Sequence, residues 1–379
     1  MRILIAPDSF KGSLSAIEVA NTIKEAAAIE WPELECTTAP LADGGEGTID
    51  TLVLTTGGQK IPVKVTGPLG NQILTHYGVL GDRQTVVMEM ANVAGFAMIP
   101  DLSRNPRVLT TYGVGELLIT AIEDGYQHFI IGLGGSATND GGIGFLQALG
   151  AEFYDEDGNE TGVDGQAIFK LQKADLSHLD QRLQTCSIVI ASDVDNPLCG
   201  KNGATAIYGP QKGIKKSETL MWDTAMQRYA TIIEKEVNRN LQYEPGSGAA
   251  GGMGFAAMVI GAKRKSGAEL VGSYLNLKEK ISQSTFIITG EGRTDEQTMK
   301  GKLPFYVAHT AAKYRVPVIV LSGSLDANID ELNHVFTSLH SIIPAPFPIN
   351  EVMENAKPFL LQAARQLFRT MRMAWKLSK

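Results

Sequence analysis

The 379-residue chain carries 34 Lys and Arg against 41 Asp and Glu, a net charge of -7, with 44% hydrophobic and 20% charged residues. This balance excludes a disordered chain and argues against general nucleic-acid binding, which needs a basic face. The length suggests two domains, while three scattered cysteines without CxxC, no HExxH and no bilayer-length apolar run point to a globular protein of the reducing cytoplasm, with no disulfide framework and no His-based metal site.

Met1 to Ala6 is a short continuous apolar run, as in a strand buried on both faces, and is too short before Pro7-Asp8 for a secretory leader. The loop behind it, Asp8-Ser9-Phe10-Lys11-Gly12-Ser13, sets a cation just ahead of a helix N-terminus. That suits a phosphate or carboxylate, and equally a solvent-facing lysine. Ser15 with Glu18 predicts a capping box, and Ala16, Val19, Ala20, Ile23 and Ala27 form one apolar stripe. Ala42-Asp43-Gly44-Gly45-Glu46-Gly47-Thr48 precedes a second helix; Asp43 either caps it or lines a site. The Gly- and Pro-bearing stretch from Val65 to Asn71 is the candidate crossing between domains.

His128 to Ile131 reads as a buried strand, followed by the loop Gly132 to Gly142. Gly134 and Gly135 let backbone N–H groups approach a ligand, Ser136 and Thr138 add hydroxyls, and a helix behind adds positive potential. The assembly suits an anion, most often a phosphate. The same loop fits a dinucleotide pattern, Gly132-x-Gly134-x-x-Ala137, with Asp155 about 20 residues on as a ribose acid. Against this, the helix starts several residues late, and no His or Tyr-x-x-x-Lys pair offers itself for hydride chemistry. No P-loop lysine motif occurs.

Ser187 to Ala191 predicts a strand ending in Ser192-Asp193-Val194-Asp195-Asn196-Pro197. Two carboxylates there suit magnesium or a general base, and are more than an Asx-turn needs. Lys212 to Lys216 and Lys263-Arg264-Lys265 read as solvated surface. Met221, Ala225, Tyr229 and Ile232 have helical spacing. Thr285 to Thr289 predicts a strand, and the segment just before it is the candidate return to the first domain. Gly290-Glu291-Gly292-Arg293-Thr294-Asp295 follows, either a site or a surface ion pair. Val316 to Leu321 predicts a further strand, and a long helix after Asn350 is interrupted near Pro358. Strands alternating with helices imply mostly parallel sheets, with ligands at the carboxyl ends of strands.

Met1 to Ser15, Pro40 to Thr48, Gly132 to Gly142, Ser192 to Pro197, Gly246 to Gly252 and Gly290 to Thr298 resemble, in the same order, the sequence blocks of bacterial glycerate kinases of the first type. The resemblance covers essentially the whole chain. It implies phosphorylation of D-glycerate with ATP and magnesium (Mg2+), many members being 2-kinases. It also implies two α/β domains, one Rossmann/flavodoxin-like and built from both chain ends, the other a mixed α/β domain inserted in the middle. With the crossings above, residues 1–70 and 285–379 form the first and 71–284 the second. The chemistry of the loops then nominates Asp8, Lys11 and Asp193 as catalytic and Asp193 with Asp195 as magnesium ligands. Contacts to substrate or nucleotide are expected from Ser9, Asp43, Gly44, Gly45, Gly134, Gly135, Ser136, Thr138, Glu291, Arg293 and Asp295, around a cleft between the domains. D-glycerate and ATP are the expected partners, with no nucleic acid and no membrane; monomer and homodimer both remain open. Two other readings stand beside it: an NAD-dependent hydroxy-acid dehydrogenase, and a non-enzymatic protein that binds a small carboxylate.

Overall fold

The opening apolar run folds as strand Arg2–Ile5, with Ile3, Leu4 and Ile5 fully buried, in a computed structural model that describes residues 1–100, 104–326 and 330–377. Burial on both faces suits a central parallel strand, and that is its place. The five-stranded sheet runs Ser338–Ser341, Val318–Ser322, Phe286–Thr289, Arg2–Ile5, Glu35–Thr38, with every neighbouring pair parallel. From Arg2–Ile5 the chain winds one way to Glu35–Thr38; its later part enters at Phe286–Thr289 and winds the other way. The strand order therefore reverses between Arg2–Ile5 and Phe286–Thr289, and such a reversal opens a crevice at the carboxyl ends of the two strands.

Helix Ala16–Glu30 starts on the expected capping box: Ser15 Oγ accepts from Glu18 N, and the Glu18 carboxylate accepts from Ser15 N at 2.9 Å. Its buried face carries Val19, Ala20, Ile23 and Ala27. The C-terminal segment forms Ile349–Glu354 and Ala356–Leu377, so the break falls at Asn355 rather than at Pro358. Pro358 sits in the first turn of the second helix, where its missing N–H would have had no intrahelical acceptor. That helix packs along Ala16–Glu30, and Glu30 receives Arg365 and Arg369 at 2.6 and 2.7 Å.

These elements belong to one compact unit, Met1–Asp43 with Ala268–Lys379; Gly44–Gly267 forms the other. The chain thus changes unit at 43/44 and 267/268, where the sequence suggested about residues 70 and 285. Gly67 to Asn71 is a hairpin turn between strands Gln59–Thr66 and Gln72–Val79, closed by Gly67 N donating to Asn71 O at 2.6 Å, with Gly70 at φ +83. Glycine and proline mark a tight reversal as readily as a linker.

The second unit holds a six-stranded mixed sheet, ordered Lys263–Lys265, Ser187–Ala191, His128–Gly132, Thr85–Glu89, Gln72–Val79, Gln59–Thr66. The first four strands are parallel and the hairpin is antiparallel. Helix Thr219–Val237 buries Trp222, Ala225, Met226, Tyr229 and Ile233. Its core stripe is thus turned slightly from the expected one, leaving Met221 exposed. Among the described residues no helix is long and apolar enough to cross a membrane.

Candidate active site

In the second unit, strand His128–Gly132 delivers the glycine loop, and helix Ile143–Ala148 begins only after Gly142, at φ +76. This late start removes the tight turn that a dinucleotide requires. Asp155 accepts from Asp157 N and Asn159 N in a local turn, on a small hairpin outside the main sheet. It is not a ribose acid at the end of a neighbouring parallel strand, so the nicotinamide reading loses its support.

The loop glycines answer first to packing. Gly134 N donates to Gly44 O at 3.1 Å; a Cβ on Gly134 would lie 2.6 Å from Gly45 Cα, and one on Gly44 would lie 2.5 Å from Ala191 O. Two backbones pressed this closely leave no room for side chains. Gly44, Gly45 and Gly134 therefore come together, with Gly135 beside them in the left-handed region at φ +74.

The side chain that enters this loop was not expected. Lys212, in a stretch read as solvated surface, is 3% exposed and donates to Ser136 Oγ at 2.9 Å and to Thr138 O at 2.7 Å. Burial pushes its ammonium down to about 7, opposed by the charge of Asp140. Asp140 is itself fully buried and accepts from Thr111 N at 2.9 Å, Thr111 Oγ1 at 2.7 Å and Gly142 N at 3.1 Å. Burial raises its carboxyl pKa despite these bonds. Thr138 Oγ1 and Asn139 Oδ1 are buried with no hydrogen-bond partner among the described residues. Unmet polar groups at such depth are costly and are normally satisfied by a ligand or water. The loop thus carries a cation and an unsatisfied hydroxyl, which suits an anion.

Asp193 and Asp195 leave strand Ser187–Ala191 as expected. Asp193 is exposed and accepts from Gly267 N at 3.1 Å. Asp195 pairs with Arg264 at 2.7 Å, and Arg264 also donates to Ser192 O. The second basic stretch is therefore partly engaged with this turn rather than wholly solvated.

In the first unit, Asp8 and Lys11 follow strand Arg2–Ile5, while Glu291 and Arg293 follow Phe286–Thr289, on either side of the strand-order reversal. Asp8 is 8% exposed and accepts from Ser9 N at 2.7 Å. Burial, then the charge of Asp43, pushes its carboxyl up to about 7, with Lys11 opposing. Lys11 Nζ lies 3.4 Å from Asp43 Oδ2, and that negative charge holds the ammonium above its ordinary range. Asp43 does not cap the following helix. Thr48–Thr56 has Gly47 at its N-cap, and Glu89 accepts from Ile49 N and Gly47 N instead.

Glu291 is buried, accepts from Thr298 Oγ1 at 2.6 Å and Thr294 Oγ1 at 3.1 Å, and faces Lys302 at 3.3 Å. Burial raises its pKa. Arg293 is exposed and reaches Asp295 at 3.5 Å and Asp326 at 3.4 Å, so the ion pair that the sequence allowed is present. Lys302 also reaches Asp295, at 3.3 Å. Asp8, Ser9, Lys11, Asp43, Glu291 and Arg293 all line one cavity of about 450 Å³. Sequence reading passed over Lys302, Lys212, Asp140 and Glu89. Among the described residues no group of three or more His, Cys, Asp or Glu side chains is arranged to hold a metal.

The model of the glycerate kinase family matches residues 3–372. The chain belongs to the glycerate kinase family. As a member of that family it is a phosphotransferase, which sets aside the dehydrogenase and binding-only readings. Glycerate 2-kinase of Escherichia coli (strain K12) is 43% identical over 98% of each chain. Glycerate kinase of Bacillus subtilis (strain 168) is 40% identical over 99% of this chain and 98% of its own. A crystal structure of a protein assigned as glycerate kinase 2 from Salmonella typhimurium LT2 superposes with a TM-score of 0.86 at 41% identity, covering 99% of each chain. The mostly parallel sheets and interleaved helices of this glycerate kinase family member agree with that likeness.

Proposed function

We propose that this chain transfers the γ-phosphoryl group of ATP to a hydroxyl of D-glycerate, with 2-phosphoglycerate the favoured product. The observation that carries the reading is Lys212, a buried cation held by Ser136 Oγ and Thr138 O within a loop of small residues. Glycerate and a phosphoryl group are both anions, and a charge-assisted contact out of water holds them strongly. Thr138 Oγ1 adds a buried hydroxyl in want of a partner. Relatives named glycerate 2-kinase and glycerate kinase supply the substrate.

Phosphoryl transfer asks chiefly for positioning and for positive charge at the equatorial oxygens. Lys11 is the candidate cation of the first unit, exposed and bound to Asp43 only through a pair that solvent weakens. Asp8 is the candidate base, because an acid–base group works best when its pKa lies near the operating pH and Asp8 is raised to about 7. Asp193 is the candidate magnesium ligand. A single carboxylate or two suffice for an ion that keeps waters and phosphate oxygens. Asp195 would join it by releasing Arg264. Magnesium arriving with the nucleotide would neutralise charge on the transferring group.

Phosphorus NMR of D-glycerate, ATP and magnesium with the enzyme tests the reading directly. The expected product signal is 2-phosphoglycerate, appearing as ATP becomes ADP. A 3-phosphoglycerate signal overturns the choice of hydroxyl, and absence of transfer from any nucleoside triphosphate overturns the function.

The base assignment has a pH signature. Asp8 loses its ionised form as pH is lowered through about 7, so kcat falls across that range. Asp8→Asn lowers kcat by roughly a hundredfold and removes that limb of the profile. A variant that keeps the wild-type limb places the base elsewhere.

A further inference from the structure

We propose that the cavity at the carboxyl ends of strands Arg2–Ile5 and Phe286–Thr289 takes the nucleoside of the phosphoryl donor, its base against Ile343, Ile349 and Met353 and its phosphates toward Lys11 and Lys302. The inference rests on ATP as donor, as proposed above, and goes on to divide the substrates between the candidate loops.

Four observations carry it, all within the first unit. The cavity lies where the strand order reverses, the place at which open α/β sheets bind their ligands. Its volume, about 450 Å³, falls in the range of roughly 300–1,000 Å³ that suits ligands larger than a three-carbon acid. Its lining divides by chain segment. The loops after the two strands supply Asp8, Lys11 and Glu291, with Lys302 behind them, whereas the C-terminal segment supplies Ile343, Ile349, Val352 and Met353. A hydroxy acid has no apolar face to set against that second group, and a nucleobase has two.

The fourth observation is exposure. Ile349 is 68% exposed and Met353 36%, on a short helix that presents them at this cavity. That helix lies against the loop after the first strand, for a Cβ on Gly12 would come within 2.7 Å of Met353 Cε. Apolar side chains left in water beside a walled cavity mark a binding face. At the polar side, Lys11 and Lys302 are held by Asp43, Glu291 and Asp295 at 3.3–3.4 Å. A triphosphate would offer these cations a denser negative charge. Exchange of partners is cheap for the exposed Lys11–Asp43 pair.

The test uses the full chain and adenosine, which carries no phosphate. Adenosine is expected to bind in equilibrium dialysis and to inhibit competitively against ATP but not against D-glycerate. Ile349→Asp and Ile343→Asp change exposed or half-buried positions, and circular dichroism checks that each remains folded. Each is expected to weaken adenosine and ADP binding at least tenfold and to raise the KM for ATP comparably, with the KM for D-glycerate within twofold. Unchanged adenosine and ADP binding in both variants overturns the inference, as does a rise in the KM for D-glycerate alone, which would make this the acceptor pocket. Failure of the kinase reading looks different: adenosine binding lost in the variants but no glycerate phosphorylation by the wild type keeps the nucleoside site and sinks the proposed reaction.

Discussion

In Lys212→Met, kcat for glycerate phosphorylation falls by roughly a hundredfold to a thousandfold, the range for losing one group that stabilises charge in a water-poor site. The protein stays folded, because Met fills the stem of the lysine and only the Nζ contacts to Ser136 and Thr138 are lost. Steady-state kinetics on the purified variant check this, and wild-type kcat with wild-type KM values would show that the glycine loop binds no reacting anion. Stability against pH gives an independent signature. The folded ammonium sits at about 7 against an ordinary 10.5. Between those values the unfolded chain holds a proton that the folded chain has released, so wild-type stability rises with pH across that window. Urea titrations at several pH values should show this rise in the wild type and its absence in Lys212→Met. Equal slopes would mean that Lys212 titrates normally and is not buried as described.

Asp140→Ala loses about 3–5 kcal/mol of stability, or fails to accumulate as folded protein. Thr111 N, Thr111 Oγ1 and Gly142 N all donate to this carboxylate at zero exposure. Alanine strands three buried donors, each worth about 1–3 kcal/mol when left unsatisfied. The bonds also join the start of helix Tyr112–Glu123 to that of Ile143–Ala148. Asp140→Asn keeps one acceptor oxygen and should lose about half as much. Chemical denaturation distinguishes the two variants; an alanine variant as stable as wild type would mean that water replaces the carboxylate. Burial raises the Asp140 pKa despite its hydrogen bonds. The hydrogen-bond acceptors it supplies are what the fold needs.

The sequence made the strands easy to read and the loops' internal contacts hard. Residues 3–5, 188–191 and 286–288 are continuous apolar runs inside strands Arg2–Ile5, Ser187–Ala191 and Phe286–Thr289, and apolar runs of this kind are what central parallel strands require. The capping box at Ser15 is a local pattern with a local cause. Lys212 had no such cue. It shares a run with Lys215 and Lys216, which are exposed as a basic run suggests. Only Gly209-Pro210 and Gly213 around it hinted at a backbone turned inward, with Gly213 at φ +99. Asp43 was weighed as a helix cap from its neighbours in sequence, yet the acceptor at that helix start is Glu89, 40 residues from Ile49. The hairpin turn at Gly67 to Asn71 was read as a crossing because composition reports a turn but not where its two arms go.

The first unit's central strand has an uneven history during synthesis. Leu4 pairs with Thr37 on one side and with Ile287 on the other. The first partner is made almost at once. The second is 283 residues away, and at about 5–20 residues per second some tens of seconds pass before it emerges from the ribosome. For that interval one edge of a largely apolar strand lacks its mate, whereas Gly44–Gly267 leaves the ribosome with its full sheet in hand. The inserted unit can therefore be finished while the unit that encloses it in sequence is still half made, with its strand Arg2–Ile5 the segment most in need of shelter.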